Sequence, residues 1–192
     1  MLKLGFVSAI LADFGLDHVI KFAGNHGFSC IEVMCWPADN SDNRRYAGVS
    51  HIDVNNLSDR KISEIKFALA ESKVFISALG YYPNPLDPDL KKSEFHIEHI
   101  KQIIYAAAKL DVPVVNTFIG RDPSKTIKAN LETFAKVWPG IVKVAEECNV
   151  KIGIENCPMF FTDDEWPGGK NLAISPAVWD RMFEIIPSPM FG

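Results

Sequence analysis

The sequence predicts an α/β fold on a parallel sheet, and a β/α barrel in particular, from three observations. Short apolar runs start near residues 3, 29, 74, 112 and 150. Each is followed by a stretch with apolar residues at helical spacing, so strand and helix alternate throughout. Neither G-x-G-x-x-G nor G-x-x-x-x-G-K-[ST] follows any run, which removes the usual signature of nucleotide-binding doubly wound sheets.

The elements follow in order. Residues 2–9 (LKLGFVSA) form the first strand, and Leu16, Val19, Ile20 and Ala23 give a helix stopped at Gly27. Residues 29–34 (SCIEVM) are a second strand, and the polar segment 36–56 a long loop. Ser58 is a good N-cap for a helix whose Ile62, Ile65, Ala68 and Leu69 share one face. Val74–Leu79 is a third strand and Tyr81–Pro88 a Pro-rich loop. The helix over 91–109 carries Ile100, Ile103, Ile104 and Ala107 as its stripe. Val112–Ile119 is a fourth strand; a capped loop at Arg121–Ser124 leads into a helix over 125–148, which Pro139 should kink. Lys151–Glu155 is the fifth strand, followed by a loop through Ala173. Ser175-Pro176 then supplies an N-cap and N1 pair for a helix through Trp179 and Phe183 to about Ile186.

Composition bounds the function classes. The chain has 192 residues, 47% hydrophobic and 23% charged, which excludes disorder and collagen-like repeats and suits one domain over 1–192. No apolar run is long enough to span a bilayer, and the N-terminus lacks a charged n-region and cleavage pattern, so a cytoplasmic location and no membrane partner are expected. Lys+Arg 20 against Asp+Glu 24 gives net charge −4, with no basic cluster longer than Arg44-Arg45 or Lys91-Lys92, which argues against a nucleic-acid partner. Cys30, Cys35, Cys148 and Cys157 show no C-x-x-C spacing and read as free thiols.

In parallel α/β folds ligands bind at the C-terminal ends of the strands. The loops there carry Glu32, Cys35, Trp36, Arg44, Arg45, Tyr46 and His51, then Tyr81, Tyr82, Pro83 and Asn84. Asn116, Thr117 and Arg121 follow the fourth strand; Glu155, Asn156, Asp163, Asp164, Glu165, Trp166 and Lys170 follow the fifth. Glu155 closes the otherwise apolar strand KIGIE, where a carboxylate must be ionically paired, bound to a metal or used as a catalytic base. Trp36, Tyr82 and Trp166 either stack on a sugar ring or pack under the loops. Arg121 either holds an anionic group or pairs locally with Asp122. His51 is either a ligand or a hydrogen-bonded structural histidine. His96 and His99, at i, i+3 on one helix without an H-E-x-x-H pattern, read as solvent-facing. Cys157 has no visible base and reads as inert. The candidate substrate contacts are thus Trp36, His51, Tyr82, Asn84, Asn116, Arg121, Asn156, Trp166 and Lys170.

Four segments resemble a known family along essentially the whole chain: SHIDVNNLSD at 50–59, LGYYPNPL at 79–86, VPVVNTFIGRD at 112–122 and GIENCPMFFTDDEWPGGKNLAISPAVWDRMF at 153–183. They resemble the sugar phosphate isomerase/epimerase family with the xylose isomerase-like barrel, most specifically through ENCPM and DEWPGGKNLA. The resemblance implies a (β/α)8 TIM barrel with a divalent metal (Mn, Mg, Co or Zn) at its mouth, held by two Glu, one Asp and one His. Glu155 matches the first of these ligands. It implies a sugar or sugar phosphate substrate and proton transfer through an enediolate, with the metal stabilising oxyanion charge and a carboxylate moving the proton.

The departure from the family lies after the last helix, where IPSPMFG stands at the place the sixth strand begins. The remaining Asp, His and second Glu have no counterpart. The expectation is a barrel truncated to about its first five βα units, against roughly 250 residues for a typical whole one, and inactive by itself. Alternatives are an inositol-ketone-type dehydratase on the same fold or a non-catalytic sugar-binding remnant. An endonuclease of the same superfamily is disfavoured by the missing histidines and basic face. Strands one and five are expected to be exposed edges that promote self-association.

Overall fold

The computed structural model describes residues 3–37, 48–157 and 169–192. Strands and helices alternate as expected: β1 (Gly5–Val7), α1 (Leu16–Asn25), β2 (Cys30–Met34), α2 (Asp59–Ser72), β3 (Phe75–Gly80), α3 (Leu90–Lys109), β4 (Val114–Thr117), α4 (Ile127–Cys148), β5 (Lys151–Ile154) and α5 (Pro176–Ile185). The strands are shorter than the apolar runs suggest. The first run splits into β1 and a 3-10 turn at Ser8–Leu11, because the chain turns away once Val7 has paired with Glu32.

All strand pairs are parallel, in the order β1-β2-β3-β4-β5. Sequential order without reversal is what a barrel wall requires, whereas a doubly wound sheet reverses at its switch point. Alternation along each strand then sorts the side chains. Ile31, Val33, Ile76, Leu79, Val115 and Ile152 are buried against the helix layer. Their partners there include Val19, Ile20, Ile100, Ile103, Ile104, Phe134, Trp138 and Ile141, so the main core lies between sheet and helices. The opposite face is more open: Val7 and Phe75 are each 40% exposed.

One turn design recurs where helix gives way to strand. Gly27, Lys73, Asp111 and Asn149 have φ of 78°, 55°, 58° and 53°. In each case the next residue's N–H returns to a carbonyl five positions back: Phe28 to Ala23, Val74 to Leu69, Val112 to Ala107 and Val150 to Ala145. This satisfies carbonyls at the helix end and points the chain into the next strand. At the helix starts, Ser58 accepts from Lys61 N–H, Asp89 from Lys91 and Lys92 N–H, and Thr126 from Ala129 N–H. Ser58 is the cap that the sequence indicates. The cap of α4 is Thr126 rather than a residue of 121–124, and Ser175 precedes α5 without a side-chain capping bond. Helix α4 continues through Pro139.

Two expectations need correction. Strand β5 is not a bare edge, because residues 190–192 return beside it: Ile152 N–H donates to Met190 O, Gly192 N–H to Ile152 O and Ile154 N–H to Gly192 O. Phe191 makes a parallel bridge with Ile152 and buries its ring near Phe134 and Trp138. The second correction concerns α3. His99 is 6% exposed and donates Nε2–H to Cys35 O at 2.8 Å, while His96 Nδ1 bonds the Tyr81 hydroxyl at 2.7 Å. Both histidines turn inward because 96, 99 and 103 lie on one helical stripe with Ile103 in the core. The four cysteines are free, as expected, and among the described residues no helix is long and apolar enough to cross a membrane.

Candidate active site at the strand ends

The C-terminal ends of β2, β4 and β5 and the residues just after β3 converge on one polar layer of the open face. Glu32 sits on β2 between the core residues Ile31 and Val33, so alternation turns it away from the helices. Its Oε1 accepts from the Tyr82 hydroxyl at 2.5 Å, and its Oε2 accepts from Asn116 Nδ2 at 2.8 Å. Two glycines leave the space these groups occupy. A Cβ on Gly80 would lie 2.6 Å from Glu32 Oε1, and one on Gly153 would lie 2.4 Å from Asn116 Oδ1. Registers Met34↔Gly80 and Asn116↔Gly153 place both glycines beside the layer.

Glu155 stands at the end of β5, its N–H held by Thr117 O at 3.1 Å. It is exposed at the mouth as a residue, yet its carboxyl loses part of its hydration against the strand ends. That desolvation first, and the Glu32 carboxylate second, push its pKa up. Among the described residues no basic side chain enters this balance. Tyr82 is pushed far up by burial first, then by Glu32, and keeps its proton. Its ring packs against Phe118 at 4.9 Å. Glu32, absent from the set chosen on sequence, is the hub of this cluster. A carboxylate inside the apolar run CIEVM carries the same signal as Glu155 in KIGIE.

The other candidates are positioned differently. Trp36 is 2% exposed and packs edge-on against Tyr81 at 4.9 Å, beneath the loops. His51 bonds Ser8 Oγ through Nδ1 at 3.0 Å and Leu11 O through Nε2 at 3.3 Å. A carbonyl only accepts, so Nε2 carries the ring proton and Nδ1 accepts from Ser8, whose Oγ takes the Met34 N–H at 2.9 Å. Desolvation holds the His51 pKa below its ordinary value. Asn84, 8% exposed, ties two loops together: Nδ2 donates to Arg121 O at 2.9 Å and Oδ1 accepts from Arg121 N–H at 2.8 Å. Gly120, at φ 81°, has no room for a Cβ beside that oxygen.

Asp122 pairs with Lys125 at 3.1 Å, and a Ser124 hydroxyl bond holds its carboxyl below the usual range. Asn156 is exposed and Lys170 half-buried on loops at the rim; Trp166 lies outside the described residues. Two buried asparagines that sequence reasoning passed over shape these loops. Asn171 donates to Glu155 O and Cys157 O while accepting from Ile119 N–H, and Asn130 braces Asp122. Burial pushes the Cys35 thiol far up, which leaves it inert.

Among the described residues no three His, Cys, Asp or Glu side chains group closely enough to hold a metal ion. Glu155 offers one carboxylate, and both oxygens of Glu32 already accept hydrogen bonds. At least three protein ligands are usual for a catalytic metal such as zinc, so the described residues do not by themselves fit the metal that the sequence resemblance implies.

Solved structures of similar shape share this architecture. D-psicose 3-epimerase in the presence of D-fructose superposes with TM-score 0.72 at 14% identity, over 99% of this chain and 62% of that one. A D-tagatose 3-epimerase-like protein gives 0.70 at 22% identity, over 100% and 63%. The IOLI protein with a binding zinc atom gives 0.66 at 16% identity, over 100% and 61%. The chain thus spans about 61–63% of the length of these proteins, and at such identities the likeness is one of fold. None of the curated proteins matches it in sequence. The family model of the xylose isomerase-like TIM barrel matches residues 20–192, across all but the first strand of the sheet just described, and the chain belongs to that family.

Proposed function

We propose that this chain carries the β1–β5 side of the mouth of a metal-dependent sugar isomerase or epimerase. The carrying observation is Glu155: a carboxyl with no ion-pair partner among the described residues and with its proton affinity raised by desolvation, at the strand end where the family's barrels bind ligands. In this reading Glu155 takes the proton from a carbon next to a substrate carbonyl. The C–H electron pair forms the C=C of the enediolate as the carbonyl π pair moves onto oxygen. In isomerisation Glu155 returns the proton to the neighbouring carbon while the hydroxyl proton passes to the former carbonyl oxygen. In epimerisation a second acid protonates the opposite face of the same carbon and Glu155 keeps the first proton. Tyr82 and Asn116 border the reacting segment, and Arg121, Asn156 and Lys170 contribute from the rim. His51 and Asn84 act through the loops they hold. The relatives named as sugar epimerases support a sugar substrate, and the zinc-bearing relative supports a metal requirement.

Glu155 would be one ligand of that metal, so the 192-residue chain alone is expected to take up little Mn²⁺ or Mg²⁺ and to exchange no substrate α-proton for deuterium. Metal titration followed by elemental analysis tests this. One tightly held ion per chain would overturn the incompleteness of the ligand set. A second reading, a non-catalytic sugar-binding protein, draws on the Glu32–Tyr82–Asn116 layer, whose hydrogen bonds need no metal. Calorimetric sugar binding without metal dependence favours it. We also propose that the chain self-associates through the edge of β1 and that of the segment paired to β5.

A further inference from the structure

We propose that Glu32 is a positioning residue that sets the hydrogen-bonding polarity of the pocket wall, and that this wall selects an uncharged polyhydroxy segment over a phosphorylated one. The inference rests on the sugar-binding reading above and narrows its ligand.

Counting donors and acceptors leads to it. Tyr82 has one hydroxyl proton, and it goes inward to Glu32 Oε1 at 2.5 Å. The Asn116 amide donates one N–H to Glu32 Oε2 at 2.8 Å. The Tyr82 proton and that Asn116 N–H are therefore committed within the layer. What remains for a ligand is chiefly acceptor capacity, the lone pairs of Tyr82 Oη, Asn116 Oδ1 above the Cα of Gly153 and the carboxylate of Glu155, against one further Asn116 N–H. Such a wall binds groups that bring donors, as sugar hydroxyls do. A phosphate, which brings acceptors and negative charge, meets two carboxylates. Arg121 and Lys170 stand on the loops after β4 and β5, outside the strands that carry this layer.

Replacing Glu32 by Gln inverts the arrangement in either amide orientation. If the new NH2 faces Tyr82, the phenol proton turns into the pocket. If it faces Asn116, that amide must rotate and present its own NH2 instead. Either way a donor enters the wall.

The test uses the 192-residue chain, ¹⁵N-labelled, titrated with D-fructose, D-fructose 6-phosphate and inorganic phosphate while the Asn116 side-chain amide is followed by NMR. The wild type is expected to bind fructose more tightly than its phosphate, with inorganic phosphate leaving the Asn116 amide unmoved. Glu32→Gln should lower the fructose-to-fructose-phosphate preference by roughly tenfold, the scale of one or two hydrogen bonds. Tyr82→Phe, which keeps the ring, should weaken fructose alone by roughly threefold to tenfold and stands in if Glu32→Gln does not fold. A purely structural role for Glu32 weakens both sugars equally, and that result overturns the proposal, as does tighter binding of the phosphate by the wild type. Those outcomes leave the sugar reading intact. Silence of the Asn116 amide toward both sugars overturns that reading and the proposal together.

Discussion

Gly80 and Gly153 are tightly constrained residues of the polar layer, because each occupies a strand position where a polar atom of a neighbour fills the space of a side chain. Alanine at Gly80 places a methyl 2.6 Å from Glu32 Oε1, and relief requires the Tyr82 bond to open. Gly80→Ala is expected to cost about 1–3 kcal/mol in urea unfolding and to shift the Tyr82 ring resonances. His51 gives a second prediction at this scale. Its folded pKa lies below the unfolded value, so between the two the unfolded chain binds more protons. Its contribution is fully present above the unfolded pKa of about 6.5 and is lost as pH falls toward the lower folded one. The urea midpoint should fall between pH 7 and pH 5 in the wild type and fall less in His51→Gln. Equal falls in the two proteins would assign the effect elsewhere.

Among the elements, the repeated helix-to-strand turn offers a direct handle. Lys73 holds φ 55° with a full side chain, in the same turn that Gly27 makes at φ 78°. Lys73→Gly should therefore raise stability by about 0.5–1 kcal/mol, measured as a higher urea midpoint at unchanged slope. Ser58→Ala removes the acceptor for Lys61 N–H and should cost about 1 kcal/mol. The elements themselves were legible in the sequence because apolar periodicity records which face meets the helix layer. The absence of an H-E-x-x-H pattern argues against a metal pair but does not place His99 in solvent, since burial follows position on the helix. Its spacing to Ile103 puts it on the buried stripe, and the Cys35 carbonyl that satisfies it comes from the residue just after β2, 64 positions away in sequence. The same non-locality hid Asn171 and Asn130, whose partners are backbone groups of loops brought close only by the fold. Glu32 is the opposite case, since its position within an apolar strand was as informative as that of Glu155, while Tyr82 and Asn116 as its partners depend on register across three strands.

At the level of the whole molecule, the open face and the two ends of the sheet, β1 and the 190–192 segment beside β5, dominate the described residues. Leu4 and Ile10 are 62% and 59% exposed near β1, in addition to Val7. Light scattering at increasing concentration should report association above the monomer, and Pro substituted at Val7, whose φ of −86° suits proline and whose N–H alternates away from β2, should reduce it. A monodisperse monomer across the range would count against the edge-pairing proposal. The barrel architecture was legible because the strand and helix runs alternate, and the family because of ENCPM and DEWPGGKNLA. The pairing of residues 190–192 with β5 was only half legible. IPSPMFG marks the start of a strand, but nothing local shows that Phe191 will bury between α4 and α5 and carry the backbone into register.

The unreversed strand order has a kinetic meaning as well. Every strand finds its partner in the strand made just before it, so no pairing waits for residues synthesised much later. Each new βα unit emerging from the ribosome meets a finished template on one side, and the chain can order itself from its N-terminus as it lengthens. The loop closed at each step is one crossover long, which keeps the entropic barrier per step low and nearly constant.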